Sequence, residues 1–284
     1  MDLGLLDIDT CIALEQLANV MATAYSNAVH LKIDMVRYND TLDKDESGRS
    51  EKREEVLFNK FPPEEEHFLT TPSVIIDSGG RIIVWYLPGA LTAMMMKHGF
   101  LNLDPEDGFL PEVSAALKGA AGHNITASLQ RSGIIVSAAL QVMHPDLYWA
   151  GMETQVRLGK WAARYELDEM HHHLQRWTSV FNVVSIICNC RTPPHRDPKC
   201  QPAAFDIMMT PGVYRLVVMD FMNLGIKFLY DSGSILASSC RLVRHYMNVE
   251  EGNRIVTAWY MQDSIHNFVG TPSTEYAKYD RVNI

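Results

Sequence analysis

The feature that most restricts the fold of this chain is its last hundred or so residues, where short β-rich runs follow one another in quick succession. From Phe181 onward FNVVSIICNC, FDIMM, GVYRLVVMDF, LGIKFLY, GSILASSCRLVRHYM, NRIVTAWYM and SIHNFV are separated by Pro, Gly and Asp-Ser-Gly turns. β-Branched and aromatic residues suit a pleated surface, and the turn residues end each run. Seven or eight strands this closely spaced predict a double-stranded β-helix of the jelly-roll type.

The rest of the chain supplies what surrounds that core. PSVIIDSGGRIIVWYLPG reads as two strands around the turn Asp77-Ser78-Gly79-Gly80. Between Leu91 and Gln175 apolar residues recur at three- and four-residue steps, as in LYWAGMETQVRLGKWAARYELDEMHHHLQRW, which predicts helices. The first forty residues are also helical in spacing and run into TLDKDESGRSEKREEV, which reads as a solvated linker. The expected class is therefore α+β: a double-stranded β-helix core flanked by helices over residues 71–284, preceded by a helical extension and charged linker over residues 1–70.

With 284 residues, 47% of them hydrophobic, a sizeable core can be filled. No apolar run approaches the roughly 20 residues that span a bilayer, so no membrane contact is expected. The start, MDLGLLDIDT, lacks the basic residues of a signal peptide, and five cysteines show no CxxC spacing. These features predict an intracellular protein, nuclear or cytoplasmic and not secreted. The net charge of −9 argues against coating nucleic acid by charge alone, but from Phe181 ten Lys and Arg face nine Asp and Glu. The deficit lies upstream, and the C-terminal part can still meet phosphates.

The chemistry is concentrated in Arg191-Thr192-Pro193-Pro194-His195-Arg196-Asp197-Pro198. The prolines enforce extended backbone, so His195 and Asp197, two residues apart, face one side and can converge on a metal. A third ligand must come from a distant strand, and SCRLVRHYM offers His245. Two histidines and one carboxylate form the facial triad of non-haem Fe(II) oxygenases, which leaves positions open for a cosubstrate and O₂. Beyond the Glu250-Glu251-Gly252-Asn253 turn, Arg254 begins the next strand, placed for a bidentate pair with a dicarboxylic acid. A second His-x-Asp, His144-Pro145-Asp146, precedes a helical stretch and reads as a turn and helix cap. His-Arg-Asp also opens a kinase catalytic loop, but the position requiring Asn is Pro202.

Through His195, Asp197, His245 and Arg254 the sequence resembles the Fe(II)- and 2-oxoglutarate-dependent dioxygenases, and within them the TET/JBP-like enzymes, fungal type. CNCRTPPHRD, GSILASSCRLVRHYM, EGNRIVTAWY and PSVIIDSGGRIIVWYLPG carry the likeness, which runs from about Pro72 to the C-terminus and is strongest after Phe181. It implies Fe(II) held by His195, Asp197 and His245 as the catalytic set, 2-oxoglutarate on Arg254 with Arg191 as a second candidate, and O₂ as co-reactant. The implied substrate is 5-methylcytosine in methylated duplex DNA, flipped out of the stack to reach the pocket and framed by His266, Trp85 or Trp259. No Asp or Asn follows the motif closely to read the amino edge of cytosine, so N6-methyladenine stays open. The alternatives are a hydroxylase of a protein or small molecule and a catalytically inactive barrel used for binding; protein partners are unknown. The run His171-His172-His173 reads as a polar helix face, because consecutive helical residues point about 100° apart.

Overall fold

The turn after residue 76 shows how local chemistry starts the sheet. Asp77 Oδ1 accepts from the backbone N–H groups of Gly79 (2.9 Å) and Arg81 (2.8 Å), while Oδ2 accepts from Arg81 Nε (2.8 Å) and Met35 N (3.0 Å). Gly80 sits at φ 72°, the left-handed region that glycine enters freely. One buried carboxylate thus fixes the hairpin and ties it to the preceding helix.

The computed structural model describes residues 7–42, 48–91, 113–114, 117–188, 192–248 and 253–282. Its helices are α1 (Ile8–Ser26), α2 (Met35–Thr41), α3 (Glu51–Lys60), α4 (Gly119–Met143), α5 (Pro145–Arg164), α6 (Asp168–Arg176) and α7 (Asp263–Val269). The strands are β1 (Ala28–His30), β2 (His67–Leu69), β3 (Ser73–Ile76), β4 (Ile82–Leu87), β5 (Val183–Cys188), β6 (Thr192–His195) and β7 (Asp206–Thr210), then β8 (Gly212–Val213), β9 (Val218–Phe221), β10 (Ile226–Leu229), β11 (Ser234–Ser238), β12 (His245–Asn248) and β13 (Asn253–Tyr260). No helix among the described residues is long and apolar enough to cross a membrane.

Two sheets face each other. The larger runs β1-β3-β4-β11-β7-β13-β5, with β8 beside β13, and the smaller runs β2-β10-β9-β12-β6. This is the double-stranded β-helix with flanking helices. Alternation divides the larger sheet's side chains between two cores. Ile207, Met209, Ile235, Ala237 and Trp259 pack with Leu17, Val136, Leu140 and Met143 of the helices. Met208, Leu236 and Val256, on the opposite face, pack against Met219, Phe221, Phe228 and Met247 of the smaller sheet. The central strands are buried on both faces and so read as unbroken apolar runs.

The division expected at residue 70 needs correction. β1 pairs with β3 in the larger sheet, β2 pairs with β10 in the smaller, and α1 packs into the helix-side core. The charged stretch expected to be a linker contains α3, whose Glu54 and Leu57 are buried. Glu54 accepts a bidentate pair from Arg196, 2.7 Å from Nε and 2.7 Å from Nη2, and the same guanidinium bonds the Leu242 carbonyl and the Tyr38 hydroxyl. Gly48 O accepts from Arg196 N at 3.0 Å. A Cβ at Gly48, which has φ +60°, would lie 2.3 Å from Arg196 O. High charge density hid this contact in the sequence, because the buried carboxylate is neutralised by a residue 142 positions away.

His144 caps α5, its Nδ1 accepting from Leu147 N at 3.4 Å, with Pro145 in the first turn. Burial pushes its imidazole down to about 4, partly opposed by Asp146.

Two outcomes follow. Glu54→Ala leaves Arg196 charged and buried and should cost about 3–5 kcal/mol in denaturant unfolding; a Glu54→Leu/Arg196→Met double variant should recover much of that, and a small loss in the single variant would remove the pair's importance. Since the folded His144 binds its proton more weakly than the unfolded one, its contribution is fully present above about pH 6.5 and is lost as pH falls towards about 4, on the order of 3 kcal/mol. His144→Asn, which keeps an acceptor at the cap, should flatten the loss of urea stability between pH 7 and 4.5; an unchanged slope would refute the assignment.

Candidate metal centre

β6 and β12 are antiparallel neighbours, and His195 lies directly opposite His245 in their register. Directly opposed residues bring their side chains together on one face, and here the ring centroids are 4.4 Å apart. Each ring is oriented by a carbonyl two residues before it. His195 Nδ1 lies 2.8 Å from Pro193 O, and His245 Nδ1 lies 3.0 Å from Val243 O. A carbonyl only accepts, so each Nδ1 donates and each Nε2 is left with a lone pair. Both lone pairs meet Asp197: His195 Nε2 is 3.7 Å from Oδ1, and His245 Nε2 is 3.7 Å from Oδ2. Asp197 is held in turn by its N–H to the Cys240 carbonyl at 3.0 Å.

Two nitrogen lone pairs aimed at a carboxylate repel unless a proton or a metal ion lies among them. His195, Asp197 and His245 present ligand atoms within 4.8 Å of one another, close enough to hold one metal ion. Burial holds His245 below the usual imidazole range, against the pull of Asp197. The neutral imidazole is the ligating form. Two histidines and a carboxylate with open positions suit Fe(II). The neighbouring grouping of Asp197, Asp206 and Cys240 is a poorer donor set. Burial, and then the charge of Asp197, push the Asp206 carboxyl well up; burial and the charge of Asp206 do the same to the Cys240 thiol. Both shifts favour the protonated forms, which make poor ligands. Arg196, between His195 and Asp197, turns the other way into its pair with Glu54.

The three side chains line a cavity of about 460 Å³ between the sheets. Its larger-sheet wall follows the two-residue alternation of the strands: Ser185 and Ile187 from β5, Asp206 and Met208 from β7, and Arg254, Val256, Ala258 and Tyr260 from β13. Arg254 is 1% exposed and its Nη1 contacts Met247 Sδ, so a guanidinium reaches the same space as the triad. The exposed Arg49 and Lys199 also line the cavity.

Not every residue singled out in the sequence arrives here. Arg191 lies outside the described residues. Trp85 and Trp259 are buried in the helix-side core, and His266 is buried on α7 without lining the cavity. Tyr260 is the aromatic residue on the cavity wall. It was one position away from Trp259, and one position on a strand exchanges faces.

The family model for Tet_JBP, the oxygenase domain of the 2OGFeDO superfamily, matches residues 114–263, a little over half of the chain and a span that contains all four of His195, Asp197, His245 and Arg254. Among solved structures the chain is similar to NgTET1 in complex with 5mC DNA, with a TM-score of 0.56 and 13% identity over 96% of this chain and 97% of that one. At that identity the likeness speaks to the fold. No curated protein matches. The matched span and the donor set together place the chain in the oxygenase family of the 2OGFeDO superfamily, as an Fe(II)- and 2-oxoglutarate-dependent dioxygenase of the TET/JBP type.

Proposed function

We propose that this dioxygenase oxidises the methyl group of 5-methylcytosine in DNA, with the target nucleotide turned out of the duplex into the cavity between the sheets. The observation that carries the reading is the composition of that cavity: one wall offers the His195, Asp197 and His245 set, the other the buried Arg254, and the rim two exposed cations. The fold likeness to a protein in complex with 5mC DNA supports the same substrate class.

Each residue then has a defined task. His195, Asp197 and His245 hold Fe(II), which with 2-oxoglutarate and O₂ supplies the oxidising power for attack on a methyl C–H bond. The Pro193 and Val243 carbonyls keep both imidazoles in the ligating tautomer. Arg254, on the larger-sheet wall, takes the distal carboxylate of 2-oxoglutarate as a charge-assisted pair, and its burial strengthens that pair. The volume of about 460 Å³ is that of a small-molecule site, so a base reaches it only singly and unstacked. Tyr260, half-buried on the wall, offers a face for the base to stack on. Arg49 and Lys199 lie where the phosphates beside a flipped nucleotide would pass.

Purified protein with Fe(II), 2-oxoglutarate and duplexes bearing either 5-methylcytosine or N6-methyladenine should yield oxidised cytosine by nucleoside mass spectrometry. Succinate release without any oxidised base would overturn the DNA assignment, and oxidation of the adenine duplex alone would move it to N6-methyladenine. His245→Ala should abolish turnover with the circular dichroism spectrum retained. Arg254→Ala should raise the KM for 2-oxoglutarate by about 10- to 100-fold, the equivalent of losing hydrogen bonds to a charged group; an unchanged KM would remove Arg254 from that role.

A further inference from the structure

A second convergence of donors lies in the helical layer, away from the cavity. His123 of α4 and Glu169 and His173 of α6 bring their ligand atoms within 4.8 Å of one another. His123 Nε2 is 3.4 Å from Glu169 Oε1, and His173 Nε2 is 3.7 Å from the same oxygen. Glu169 and His173 stand four residues apart on one helix, a spacing that stacks them on a single face.

The contacts around His173 accommodate the tautomer that ligates through Nε2. Thr126 Oγ1 donates to the Gly122 carbonyl at 3.2 Å, which uses the only hydroxyl proton. The same oxygen lies 2.8 Å from His173 Nδ1, and with the hydroxyl used in this way it accepts a ring proton carried on Nδ1. In that tautomer Nε2 is a bare lone pair. It is buried, has no hydrogen-bond partner among the described residues, and faces a carboxylate oxygen. His123 Nε2 is likewise buried without a hydrogen-bond partner and faces the same oxygen. The carboxylate is preset, because Gly119 N–H donates to Glu169 Oε1 at 2.7 Å.

The other histidines of the run are engaged elsewhere. His171 Nε2 contacts Gln175 at 2.8 Å, and Arg176 Nη1 lies against both ring nitrogens of His172 at 2.7 and 2.6 Å. His172 stacks on His123 with centroids 4.0 Å apart and so braces the ring without ligating. The helical argument against three consecutive ligands holds; it is one of the three, joined by residues from another helix and another turn, that forms the set.

We propose that His123, Glu169 and His173 form a second metal site, for Zn²⁺ or a divalent ion of similar preference, which clamps α4 to α6 independently of the iron. Ligand atoms on a tetrahedral Zn²⁺ with bonds of about 2.0–2.1 Å stand about 3.4 Å apart, close to the 3.4 and 3.7 Å found. Two imidazoles and a carboxylate leave the fourth position to water, and the part-exposed His123 and Glu169 give it access to solvent.

The test is zinc stoichiometry by elemental analysis of the full chain, stripped with chelator and dialysed against Zn²⁺, which the iron triad also takes. The wild type should bind two equivalents, His195→Ala/His245→Ala one, and that variant carrying Glu169→Gln or His123→Ala none. With Co²⁺ in place of Zn²⁺, the triad-disabled protein should show tetrahedral visible absorption bands that Glu169→Gln removes. If the triad-disabled protein binds no zinc, or if the Glu169 and His123 substitutions leave its zinc in place, there is no second site. Either result is independent of whether the first site oxidises DNA.

Discussion

The two short hydrogen bonds from His195 Nδ1 to Pro193 O and from His245 Nδ1 to Val243 O are the constraint on which the site depends. Each runs to a carbonyl two residues back along the same segment, so the backbone that builds the strand also sets the protonation of the ring. Strand register then does the remaining work, since β6 and β12 place His195 and His245 opposite each other. Loss of that register by one residue would send one imidazole to the other face of the smaller sheet. The two histidines are therefore placed by the sheet, while Asp197, just beyond β6, is placed by the Cys240 carbonyl.

What holds β6 in place comes from the beginning of the chain. Arg196 separates two residues of the metal set and sends its side chain in the opposite direction, into Glu54, Tyr38 and the Leu242 carbonyl. Its backbone is pinned as well, through Gly48 O. A buried ion pair contributes little net stability compared with an apolar pair of the same volume, but it tolerates few alternative arrangements. Here it couples α3 to the segment that carries His195 and Asp197, so Tyr38, Gly48 and Glu54 take part in the geometry of the site.

The sequence disclosed most where several independent signals agreed. Proline on both sides of His195, the two-residue step to Asp197, and a β-rich run ending in His245 all pointed to one face of one sheet. Arg254 was legible because a turn and a strand start fixed its direction. What escaped was of two kinds. Trp259 was named as a frame for the base and Tyr260 was not, although strand parity counted from Arg254 brings residue 260 and not 259 to the cavity. The segment holding α3 was read as solvated because it is dense in charge. Burial of Glu54 depends on a partner 142 residues away, and no local pattern reports so distant a neutralisation.

The same hydrogen-bond logic links the two donor clusters despite their different scaffolds. On the strands, a backbone carbonyl takes the Nδ1 proton and points Nε2 at Asp197. On the helices the task can pass to a hydroxyl: with its proton on Gly122 O, Thr126 Oγ1 accepts from His173 Nδ1. The outcome in both places is a lone pair facing a carboxylate oxygen at 3.7 Å. A pair of that kind is repulsive when empty and becomes favourable with a proton or a metal ion between, which is the physical reason to treat the helical cluster in the same terms as the one between the sheets.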